Sequence, residues 1–115
     1  MKHSVGKVIP AATLTEVFTV PAGYKAEVST LFASNHTGNN KTITLYWQHA
    51  HDITHKIYIV FGYVISANNY LQFSDSMVIQ SGDSIQVLTE AGSEMSVIAS
   101  FDLRKEPQTV AFEGE

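Results

Sequence analysis

The 115-residue chain contains no cysteine, and only 16% of its residues are charged. The first absence removes a disulfide framework, a thiolate nucleophile and cysteine-ligated zinc, and it fits synthesis in a reducing cytoplasm. The second is a deficit against the usual quarter or so; Ser, Thr, Asn and Gln fill the gap. A polar surface with little charge suits close packing against other subunits, because fewer ions must be desolvated. It equally suits a free-standing β protein rich in Thr and Ser. Basic residues number seven against eleven acidic ones. They gather nowhere beyond Arg104-Lys105, so the counterion-releasing stripe needed for nucleic acid is missing. The longest apolar stretch, residues 57–65, is too short to span a bilayer as a helix, so no membrane partner is expected. The opening MKHSVGKVIPAATL has no apolar signal-peptide segment. Helical periodicity is almost absent.

What is present is alternation. Strand patterns recur every 8–12 residues with turn chemistry between them, which is the all-β signature. Thr13–Val20 reads as a strand ended by the Pro21–Gly23 turn. Over Tyr24–Ser34, Val28, Thr30 and Phe32 share one face, and Glu27, Ser29, Leu31 and Ala33 the other. Ile43, Leu45 and Trp47 share a face of the Lys41–His49 strand, and Trp47 is assigned to the core. Ile57, Ile59 and Phe61 alternate with Tyr58 and Val60 on the return strand. Short strands at Leu71–Phe73 and Met77–Gln80 follow. Ile85 and Val87 alternate with Gln86 and Leu88. In the last strand Met95, Val97, Ala99, Phe101 and Leu103 face one way.

About eight strands with one apolar face each are best buried as two antiparallel sheets. The expectation is an all-β sandwich of jelly-roll or Greek-key type. A single domain spans 1–115, with its core at about 13–103, an N-terminal segment 1–12 outside it and a C-terminal arm 104–115. The arm carries an apolar patch at Val110, Ala111 and Phe112, suited either to a loose terminus or to addition onto a neighbouring subunit's sheet.

The candidate chemistry sits in YWQHAHDITH, residues 46–55. His49 and His51 lie two apart, so on a strand both point one way, and His55 or Asp52 could add a third metal ligand. The H-x-H-x3-H spacing touches the first motif of the cupins. His55, however, stands where that motif has a carboxylate, and no histidine follows it. The plainer reading is a hairpin tip with solvated imidazoles. His49, His51 and His55 are thus metal candidates only, and no cofactor is expected. No phosphate loop, nucleophile elbow, zincin helix or glycosidase-like acid pair occurs. Ser81-Gly82-Asp83 reads as turn chemistry, and the chain reads as a non-enzyme. Tyr46 and Tyr58 fall on the face opposite the core and can pair across the hairpin. With Val110 and Phe112 they are the interface candidates.

Three stretches, VFTVPAGYKAEVSTLFASNHTGNNKTITLYW, ANNYLQFSDSMVIQSGDSIQV and MSVIASFDL, cover most of residues 13–103. Their V-P-A-G turn, apolar strand ending in Asn, Thr-rich strand and late G-D turn resemble small β-sandwich virion proteins of tailed bacteriophages. That resemblance implies a structural protein, a capsid decoration (cement) protein first and a tail or neck component second. Its partners would be phage capsid or tail proteins and further copies of itself, a trimer being expected. Its place would be the virion, assembled in the host cytoplasm. A carbohydrate-binding module for host attachment is the other possibility for a surface with exposed tyrosines. The resemblance brings no catalytic residues.

Overall fold

The computed structural model describes residues 2–50 and 56–106. Nine strands are found among the described residues: β1 (Lys2–Ile9), β2 (Thr15–Thr19), β3 (Tyr24–Asn35), β4 (Lys41–Gln48), β5 (Lys56–Ile65), β6 (Tyr70–Phe73), β7 (Met77–Ile79), β8 (Ser84–Thr89) and β9 (Met95–Lys105). One sheet has the order β1-β9-β3-β6, with β7 also paired to β3; the other runs β2-β8-β4-β5. Every pairing is antiparallel.

The winding explains the order. The β4–β5 hairpin is the inner end of one long folded ribbon. Around it β3 pairs with β6 and β7, β2 with β8, and β1 with β9. Rolling that ribbon into two layers gives a jelly roll. β6 and β7 act as one broken strand. They meet β3 at Leu31–Ser34 and at Ala26–Val28 respectively. The break faces a bulge in β3, where the β9 register skips from Val28↔Phe101 to Thr30↔Ser100. The eight strands expected from the sequence correspond to β2 to β9, and β1 is the ninth.

The core lies between the layers. It includes Val17, Val20, Val28, Leu31, Ile43, Leu45, Ile79, Ile85, Val87 and Val97, all buried. Phe18 of one sheet stacks on Phe101 of the other at 4.2 Å between ring centroids. Alternation along β8 and β9 is as the sequence implies: Ile85 and Val87 are buried, as are Met95, Val97, Ala99 and Phe101.

Three sequence expectations change. The opening residues, expected outside the core, form β1, in register with β9 from Lys2↔Asp102 to Ile9↔Met95. Ile9 is buried and Val5 packs against the core. The strand is cryptic because it is an edge, with little apolar alternation to betray it. In β3 the bulge at Ser29 shifts the phase, so Ala26 and Val28 point inward before it and Leu31, Ala33 and Asn35 after it. Phe32 instead lies outside, stacked on Tyr70 at 5.0 Å. In β5, Phe61 is not an inner residue; it is 72% exposed. Two register shifts in the β4–β5 ladder, between Ile43 and Leu45 and between Leu45 and Tyr46, break the simple parity.

Candidate assembly interface

Of the candidate metal ligands, His51 and His55, like Asp52, lie outside the described residues. His49 directly follows β4, and its ring stands at 4.6 Å from that of Trp47. Its Nδ1 is 3.9 Å from Asp83 Oδ2. Among the described residues no group of three or more His, Asp or Glu side chains is placed to hold a metal.

Asp83 serves the fold instead. Its carboxylate is buried and accepts hydrogen bonds from Ala50 N–H (2.9 Å), Gln80 N–H (3.0 Å) and the Trp47 indole (3.0 Å). Its own N–H donates to Gln80 C=O, and its C=O accepts from Val20 N–H. Burial is the largest influence on its pKa and pushes it up. The hydrogen bonds from Ala50, Gln80 and Trp47, with His49 nearby, outweigh burial and hold the carboxyl below its usual range. Trp47 is therefore half-buried against the core, with its polar edge tied to the turn. Gly82 sits at φ +82°, and a Cβ there would come within 2.8 Å of Ala50 Cβ. Gly82→Ala should cost about 2 kcal/mol or more through that contact and the left-handed backbone. Adding Ala50→Gly should restore only the contact part, which thermal denaturation of the single and double variants checks.

A matching knot closes the other end of the sheet. Asn35 is buried, and its Nδ2 donates to the carbonyls of Asn39 (2.8 Å), Ile65 (3.0 Å) and Ser66 (3.3 Å). Its Oδ1 accepts from Thr37 N–H and Thr37 Oγ1. Asp83 and Asn35 together fix both ends of the β4–β5 region.

Between them lies the largest group of exposed large hydrophobic residues on any strand among the described residues. β5 is an edge strand, paired only to β4. Five of the eleven large hydrophobic residues exposed among the described residues are on it: Ile57, Tyr58, Phe61, Tyr63 and Val64. No charged residue occurs between Lys56 and Asp75. The two tyrosines singled out in the sequence meet here, Tyr46 and Tyr58 having ring centroids 5.0 Å apart. Phe61 joins Tyr58 edge-to-face at 4.8 Å, and Lys56 Nζ lies 5.2 Å from the Tyr46 ring centre. Burial first, then the neighbouring Tyr58 phenol, raises the Tyr46 pKa. The bulged Gly62 N–H is satisfied by Thr44 Oγ1 at 2.9 Å, so the irregularity leaves no orphan donor there. The pairing of Tyr46 with Tyr58 was legible in the sequence. Phe61 was missed because the register shifts turn it outward. Val110 and Phe112 lie outside the described residues.

The other edges differ. β1 carries Lys2 and Lys7, β2 carries Glu16 and a register shift, and the β6–β7 edge is interrupted around Asp75. Natural sheets blunt their edges with charge, shortness or interruption. Among these edges β5 is long and has no charge after its first residue.

No protein-family model matches the chain, and no curated protein matches it by sequence. By fold it is similar to a chain of the Bacillus endospore appendages, a family of disulfide-linked pili. The TM-score is 0.56 at 14% identity, covering 93% of this chain and 88% of that one. A second similarity, to a chain of infectious bursal disease virus strain Gx, has a TM-score of 0.48 at 10% identity and covers 88% of this chain but 30% of that one. At this identity the first similarity shows a shared fold and nothing more, and the second carries no argument.

Proposed function

We propose that the chain is a non-enzymatic building block of a repeating protein assembly. Its most specific reading is a bacteriophage capsid decoration protein that stabilises the particle through protein–protein contacts, with a tail or neck component as the alternative. The observation that carries this reading is β5: a ten-residue edge strand, apolar and uncharged after Lys56, on a stiff two-layer body. An exposed edge of that kind is a hazard in a free monomer and becomes buried surface in an assembly. The pilus chain of similar fold belongs to an assembled structure, which supports the reading by analogy. These 115 residues hold no cysteine, so contacts made by them involve no disulfide and gain strength from copy number. Cyclic closure, with three copies, would cover every β5 edge at once.

Sedimentation velocity tests this. The natural chain should associate, and Phe61→Lys should shift it toward monomer while melting close to the natural chain diluted to monomer, because Phe61 is mostly exposed. A natural chain that stays monomeric at high concentration would count against a self-assembling subunit. The tyrosine pair supports a second reading, a glycan platform. Binding to a glycan array that is lost in Tyr58→Ala would favour it.

A further inference from the structure

The β5 edge calls for an occupant that is an extended strand, weakly charged and apolar on one side. The chain itself carries such a segment. After Glu106 come Pro107 to Glu115, PQTVAFEGE, nine residues that extended would reach about 30 Å. As a strand, TVAF would put Val110 and Phe112 on one face. This stretch has no basic residue, and its only charges are the acids Glu113 and Glu115 near its end.

Resting on the subunit reading above, we propose that residues 108–113 of one copy add as a strand to the β5 edge of the next copy. Val110 and Phe112 pack on the Tyr58–Phe61 surface. The acidic end lies beside Lys56, the one charge on β5. That polarity makes the arm antiparallel to β5.

The fold favours a second copy over the same one. β9 ends at Lys105↔Tyr24, and Glu106 N–H bonds Gly23 C=O. Gly23 N–H bonds Ser81 Oγ, and the adjoining Gly82 lies against Ala50, just beyond the end of β4 where Gln48 pairs with Lys56. The arm therefore leaves from the end of the sandwich at which β5 begins. Folding back along its own β5, it would run parallel, with its acids far from Lys56. Continuing to a neighbour, it can run antiparallel with its acids beside the lysine. A contact of this head-to-tail kind closes into a ring or continues as a filament. Main-chain hydrogen bonds supply affinity and the alternate side chains supply register.

The absence of cysteine makes the test clean. Full-length Phe112→Cys is mixed with Tyr58→Cys, with Val64→Cys, or with Val78→Cys on the β7 edge, and mildly oxidised. A disulfide needs the two Cα atoms within about 7 Å. The expected product is the 112–58 mixed dimer, about tenfold over the 112–64 and 112–78 products through effective concentration. Full-length Val110→Asp/Phe112→Asp should lose association while keeping the melting temperature that the natural chain has when diluted to monomer. Equal yields at 58 and 78, dominance of 58–58 dimers, or an intramolecular link in the Tyr58→Cys/Phe112→Cys double variant would each overturn the inference. Association that persists in the Val110→Asp/Phe112→Asp variant would also overturn it and leave the subunit reading standing. A natural chain that never associates removes that reading as well.

Discussion

Asp83→Ala should lower the melting temperature by about 15 °C, on an expected loss of about 4 kcal/mol. The reasoning starts from three donors. Ala50 N–H, Gln80 N–H and the Trp47 indole all point at one buried carboxylate. Hydrogen bonds to a charged acceptor are each worth about 1.5–3 kcal/mol, and donors left buried without an acceptor add a desolvation penalty. Set against a total stability of about 5–15 kcal/mol, that is a large share. Asp83→Asn should recover only part, because its amide would direct N–H groups at donors. The pH dependence has a definite sign. The folded-state pKa of Asp83 is lowered, so the unfolded chain takes up the proton more readily. Its contribution is complete above the unfolded value of about 3.9 and is lost as pH falls through and below it. Thermal denaturation at acid pH should therefore show a steep loss for the natural chain and a flatter one for Asp83→Ala.

Asn35→Ala should be comparably severe, costing about 4 kcal/mol. The Asn35 side chain joins the end of β3 to the carbonyls of Asn39, Ile65 and Ser66, while its oxygen accepts twice from Thr37. Removing it strips hydrogen bonds from the last residue of β5 and from the loop before β4 together. Asn35→Asp should be worse near neutral pH, since a carboxylate would face three carbonyl oxygens. Unlike the natural chain, that variant should gain stability on mild acidification, because protonation restores a donor. Denaturant titrations of both variants at neutral and acid pH check the magnitude and the opposite signs. The exchange of the Ile65 and Ser66 amides should report the loosening locally.

These two residues mark where sequence reading stops. Asp83 stands in a Ser-Gly-Asp turn, and turn chemistry accounts for it locally. Its hold on Trp47 and Ala50 joins segments far apart in the chain, so periodicity carries no trace of it. Asn35 looks like a strand-ending residue, which it is, but its partners near residue 65 come from another strand. The unbroken alternation of β8 and β9 was legible because no bulge interrupts it and one face is buried throughout. β3 and β5 were misphased for one shared reason: an inserted residue reverses every side chain beyond it. That reversal hid Leu31 as a core residue and Phe61 as a surface one. β1 escaped notice because an edge strand needs few apolar residues. The Tyr46–Tyr58 pair was legible because both flank one short connection in antiparallel strands. Its place on an edge with a single charge, Lys56, needed the topology.

The central claim is that the outer edge of the β2-β8-β4-β5 sheet, and not a reactive pocket, is the working part. Electron microscopy of the intact assembly tests it most directly. The account predicts protein density continuing the sheet beyond β5, with Tyr58 and Phe61 covered. A β5 edge left facing solvent in every copy, with the subunits joined elsewhere, would contradict it.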